Sequence, residues 1–255
     1  MSRIREFVFT LCDLSPSVKD MTIRIAMWSG PRNLSTAMMY SFAARGDTRV
    51  VDEPFYAAFL AHTGDDHPMR KAVLNSQSSD PDMVAQSLLT PLPEPIFYQK
   101  HMAHHMQQNW STDWMEDVRH VFLIRHPARV VASYAKKRES PVLADLGFVQ
   151  QAALFERMEA PVVVDSSDIR ANPTEILLRL CDKIGIPWTP KMLSWPANGH
   201  PSDGVWAAHW YGAVHASTGF DTAEPSLPTL EGDYERLSDA AIPYYEALAA
   251  QKITI

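Results

Sequence analysis

The sequence predicts an α/β fold in which a mainly parallel sheet carries helices on both faces. Three segments point to it: Ile23 to Ala44, Val118 to Tyr134 and Ala160 to Pro187. Each begins with a short apolar run, passes a turn or loop, and enters a helix-like stretch. Strands that alternate with helices close into parallel sheets, because each crossover must lay a helix on a face. Strands are expected near residues 23–28, 49–52, 120–124 and 161–165, and Ile96 to His101 reads as a further one. The length of 255 residues and 46% hydrophobic content suffice for a large core.

In the first segment, the apolar run Ile23 to Met27 leads through Ser29-Gly30-Pro31-Arg32-Asn33-Leu34-Ser35-Thr36 into a helix through Ala44. That order builds an anion cradle. The first N–H groups of a helix lack partners within it, and the helix dipole adds positive potential there. Ser35 and Thr36 offer hydroxyls, and Arg32 offers a fixed charge on a planar fork. An ATPase phosphate loop would carry Gly-Lys where this chain has Leu34-Ser35. The lysine that reaches a terminal phosphate is therefore missing.

In the second segment, the run Val121 to Ile124 ends on Arg125, and a helix begins near Pro127, a residue suited to a first helical turn. Ser133 follows eight residues after Arg125, inside that helix. Ligands of open α/β sheets gather at this carboxyl end of the strands. In the third segment, Ala160 to Asp165 reads as a strand. Asn172 then reads as an N-cap, Pro173 as the first helical residue and Gly185 as the stop. Ile176, Leu177, Leu180 and Ile184 form a helical stripe that belongs to the core.

Together these segments resemble the sulfotransferases that use 3'-phosphoadenosine 5'-phosphosulfate (PAPS). Pro31-Arg32-Asn33-Leu34-Ser35-Thr36 overlays their Pro-Lys-Ser-Gly-Thr-Thr loop without a gap, with Arg for Lys and Asn-Leu for Ser-Gly. Arg125 and Ser133 match the pair that holds the cofactor's 3'-phosphate, and Asn172-Pro173 through Ile184-Gly185-Ile186-Pro187 match a later helix. The resemblance covers Ile23 to Pro187. It implies a P-loop NTPase-like three-layer sandwich, with Ser29 to Thr36 around the 5'-phosphate and Arg125 with Ser133 on the 3'-phosphate. It also implies in-line transfer of a sulfuryl group to a hydroxyl or amine of a small-molecule or sugar acceptor, with 3',5'-bisphosphoadenosine (PAP) as product. Arg32 would act electrostatically on the leaving oxygens.

Two residues compete as general base. Glu53 follows the strand at Val50–Asp52 and lies 21 positions after Arg32, as in the branch of the family that acts on sugars or protein tyrosine. His101 ends another strand and resembles the histidine of the branch acting on small phenols and alcohols. Glu53 is preferred because the Arg-type loop goes with it. His101, His104 and His105 have helical spacing, but no neighbouring carboxylate completes a metal site, and no metal is expected. A later aromatic segment, Asp203 to Tyr211, is loosely similar in place to the loop that closes over the adenosine, without its Arg-Lys-Gly pattern.

Two other readings stay open at this point. One is a P-loop kinase using ATP, with Asp52 or Glu53 as base or magnesium ligand; the other is a non-catalytic nucleotide-binding protein of the same fold. The net charge of −7 argues against a nucleic-acid partner. Cys12 and Cys181 suggest neither a disulfide framework nor a zinc site, and no apolar run is long enough to span a membrane. Residues 1–20 read as an extension to one domain over 21–255, and the chain is expected to be cytoplasmic.

Overall fold

A computed structural model describes residues 22–136 and 140–254, so the expected extension over residues 1–20 lies outside the described residues. Five strands build the sheet: β1 (Ile23–Ser29), β2 (Thr48–Asp52), β3 (Ile96–Met102), β4 (Arg119–Ile124) and β5 (Val162–Asp165). Their order is β2-β3-β1-β4-β5 and every pairing is parallel.

Helix α1 (Ser35–Ala43) joins β1 to β2, and α2 (Tyr56–Thr63), α3 (Arg70–Ser76) and α4 (Pro81–Leu89) join β2 to β3. Between β4 and β5 run α5 (Pro127–Tyr134), α6 (Leu143–Leu146) and α7 (Phe148–Phe155). After β5 come α8 (Ser166–Ala171), α9 (Pro173–Lys183), α10 (Ala207–Trp210), α11 (Gly212–His215) and α12 (Asp233–Ala249).

Alternation along the strands feeds two cores. Ile25, Met27, Tyr98, Val121 and Leu123 face α1 and α9, whereas Ala26, Trp28, Phe97, Phe122 and Ile124 face α4, α7 and α12. The helix ends follow the expected signals. His126 Nδ1 accepts the Ala128 N–H at 3.2 Å before Pro127, and Asn172 accepts the Glu175 N–H at 3.2 Å before Pro173. Gly185 ends α9 with φ +61°.

The chain leaves β1 for one side of the sheet, builds β2 and β3 there, then crosses to β4 on the other side. The carboxyl end of β1 is therefore a topological switch point, where a crevice opens. Among the described residues, no helix is long and apolar enough to cross a membrane.

Candidate functional site

A cavity of about 330 Å³ opens at that carboxyl end. Pro31 to Thr36 line it, with Glu53, Lys100, Arg125 and Ser133. The loop between β1 and α1 is held from below. Asn33 Nδ2 donates to the Leu123 carbonyl of β4 at 3.2 Å, and a Cβ added at Gly30 would stand 2.4 Å from the Leu146 carbonyl oxygen. Arg32 and Leu34 take left-handed backbone angles, φ +63° and +72°. Leu34 thus adopts, with a side chain, a conformation that glycine takes freely. Ser29 is fully buried with its hydroxyl on the His101 carbonyl, so it and Gly30 shape the loop from behind while residues 31–36 face the cavity.

Three sequence-predicted residues meet at one wall. Arg32 Nε donates to Ser133 Oγ at 2.9 Å, and Arg125 Nη1 donates to the Arg32 carbonyl at 2.7 Å. Burial and the neighbouring Arg125 charge both lower the pKa of Arg32. Two guanidiniums that face one cavity repel each other, and an anion between them relieves the repulsion. Asn33 Oδ1, Arg125 Nε and Ser166 Oγ are buried without a hydrogen-bond partner, and all three residues line the cavity. Orphaned polar atoms on a cavity wall are the ones a polar ligand satisfies.

A second group sits at the ends of β2 and β3, where Asp52 and Lys100 are register partners. Lys100 Nζ donates to Asp52 Oδ1 at 2.8 Å, Glu53 Oε1 at 2.6 Å and the Tyr211 hydroxyl at 2.5 Å. All three ammonium protons are therefore used. The Tyr211 hydroxyl also accepts from Trp206 Nε1 at 2.9 Å and lies 2.9 Å from both Asp52 oxygens. Two carboxylates share one cation, which leaves the group one negative charge in excess. Burial raises the pKa of Glu53, and Asp52 raises it further against the pull of Lys100. Lys100 is driven the other way by burial, but the two carboxylates prevail and keep it protonated. Glu53 is thus a buried carboxylate of raised basicity on the cavity wall.

His101 is not brought to this wall. Its ring stacks on Trp28 with centroids 4.4 Å apart, its Nε2 pairs with Gln99 Oε1 at 3.2 Å, and burial pushes its pKa down to about 3. The reason is strand alternation: Lys100 shares the face of Tyr98, and His101 that of Phe97. His104 and His105, on the 3₁₀ turn Ala103–His105, line the cavity instead. His105 stacks on Tyr56 at 4.5 Å, and burial holds it well below the usual histidine range.

Lys100 and Tyr211 were not singled out from sequence. Parity along β3 identifies the first, since a charge on the Ile96–Tyr98 face needs a partner at the strand end. The second lies in the aromatic segment, whose placement does become clear. The Gly204 N–H donates to Asp52 Oδ2 at 3.0 Å, and Trp210 and Tyr211 form cavity wall. The segment therefore packs on the Asp52–Glu53 end of the cavity.

Comparison with known proteins agrees with this fold. The Sulfotransferase domain family matches residues 23–252. Two curated relatives from Arabidopsis thaliana, Branched-chain-amino-acid aminotransferase-like proteins 1 and 2, are 35% and 33% identical over 229 residues. The match takes in 88% of this chain but 41% of each relative, so the chain spans about two fifths of their length. Among solved structures, the sulfotransferase domain of the Synechococcus PCC 7002 olefin synthase superposes with a TM-score of 0.53 at 17% identity, covering 90% of this chain and 96% of that one. This likeness shows a shared fold.

Proposed function

Because the chain belongs to the sulfotransferase-domain family, we propose that it transfers a sulfuryl group from PAPS to a hydroxyl or amine of a small-molecule or sugar acceptor. The observation that carries this reading is the one cavity lined together by the Arg32–Ser35–Thr36 loop, the Arg125–Ser133 pair and Glu53. The residues fit the cofactor. The start of α1 has no side-chain cap, two guanidiniums converge, and the orphaned atoms of Asn33, Arg125 and Ser166 await polar partners. PAPS would supply the sulfuryl group and depart as PAP.

The protein's own part is binding, charge and one proton. Ser35, Thr36 and the first amides of α1 hold the 5'-phosphate, and Arg125 with Ser133 hold the 3'-phosphate. Arg32 would stay charged and offset the negative charge that builds on the leaving oxygens. Glu53 takes the acceptor's proton, and Lys100 and Tyr211 fix its Oε1. The ion pairs of Asp52 and Glu53 with Lys100 weigh against the kinase reading, in which one of the two would hold magnesium.

The test compares Glu53→Gln with His101→Phe by the release of PAP and sulfate from PAPS, with water as acceptor. Glu53→Gln is expected to lose about 10²–10⁴-fold, the scale of a positioned base, with PAP affinity kept. His101→Phe keeps a ring in the stack and should keep turnover. Loss in His101→Phe with activity kept in Glu53→Gln would reverse the assignment.

A further inference from the structure

Glu224 is the feature that the proposed reaction leaves unused. It lies between α11 and α12 in an exposed stretch without regular structure, yet its side chain is only 2% exposed. Its Oε1 accepts from Arg125 Nη2, and from Arg170 Nη1 at 3.0 Å. Its Oε2 accepts from Ser167 Oγ at 2.6 Å and lies 3.1 Å from Arg129 Nε. Burial would raise its pKa, but hydrogen bonds from Ser167 and Arg125, with the charges of Arg125 and Arg129, hold it below the usual carboxylate range. The flanking backbone is strapped by the same arginines: Arg170 Nε donates to the Thr222 carbonyl at 3.1 Å, and Arg129 Nη2 to that of Pro225.

Three guanidiniums surround Glu224, and with Asp221 Oδ2 3.5 Å from Arg170 Nη2 the group keeps one positive charge in excess. A phosphate monoester carries about −1.5 to −2 and offers three oxygens, so it matches this nest better than Glu224 does. Arg125 and Arg170 also line the cavity, next to the orphaned Arg125 Nε and Ser166 Oγ. The nest and the cavity therefore share a wall.

We infer that Arg129, Arg170 and Ser167 join Arg125 in one phosphate site, and that Glu224 is an internal anion that the nucleotide's 3'-phosphate displaces. The inference rests on the PAPS reading. Exchange would free the stretch around Glu224 from the arginines that strap it, so cofactor entry and release of this segment are one event.

The test is calorimetric titration of the full chain with PAP and with adenosine 5'-monophosphate (AMP), which has no 3'-phosphate. Glu224→Gln should tighten PAP about tenfold, the scale of one charge-assisted hydrogen bond, and leave AMP within about twofold. Arg170→Ala should weaken PAP about tenfold and spare AMP, whose retained binding also shows that the variant is folded. If the unmodified chain binds PAP and Glu224→Gln binds it equally or less tightly, Glu224 only props up the arginines; the inference falls and the PAPS reading stands. If neither protein binds PAP, the PAPS reading fails and the inference with it.

Discussion

Glu53 holds its backbone at φ +40°, a conformation that costs a side-chain-bearing residue about 1–3 kcal/mol. The surroundings over-determine it. Its N–H donates to the Lys100 carbonyl at 2.9 Å, and its own carbonyl accepts from Tyr56 N at 3.1 Å and Gln77 Nε2 at 3.1 Å. Strain held in place this way aims the carboxylate at the cavity and at Lys100. The raised pKa has two consequences of known sign. The base works only when ionised, so kcat/KM should fall about tenfold per unit as pH drops through a pKa above 4.5. Stability runs the other way. Between the unfolded pKa and the raised folded one, the folded state binds more protons, so Glu53 costs stability as pH rises. Thermal melts of Glu53→Gln should therefore match the unmodified chain in acid and exceed it at neutral pH; a variant less stable at neutral pH would assign Glu53 to the fold.

At the scale of elements, the loop between β1 and α1 is fixed by close approach. A methyl group at Gly30 would meet the Leu146 backbone at 2.4 Å, which no side-chain rotation relieves. Gly30→Ala should cost about 1–3 kcal/mol in denaturant melts, the range for overpacking, and should weaken nucleotide binding as residues 31–36 shift. Unchanged affinity would show that the loop tolerates movement away from Leu146. The same elements show what the sequence discloses. β1, α1, β4, α5 and α9 were legible because each carries a local signal: an apolar run, a Pro at the first helical turn, an Asn cap or a Gly stop. His101 and Lys100 are adjacent, and composition does not say which faces the cavity. Pairing with Asp52 decides it, and that is a property of register rather than of either residue. Glu224 and Tyr211 were harder still. They lie outside any regular strand or long helix, 99 and 111 residues from the arginine and the lysine that they meet.

For the molecule as a whole, a net charge of −7 is compatible with an anionic cofactor because the positive groups are concentrated. Arg32 and Arg125 converge on the switch point of the sheet, and Arg129 and Arg170 stand behind them. The topology makes this possible: β1 lies between β3, which brings Lys100, and β4, which leads to Arg125. The central claim is that the cavity recognises a nucleotide by its 3'-phosphate. It is tested most directly by titrating PAP and AMP into the unmodified chain and into Arg125→Ala. A charge-assisted hydrogen bond contributes roughly 1.5–3 kcal/mol, so the variant should lose about one to two orders of magnitude for PAP and almost nothing for AMP. Equal losses for the two ligands, or no binding of PAP by the unmodified chain, would contradict it.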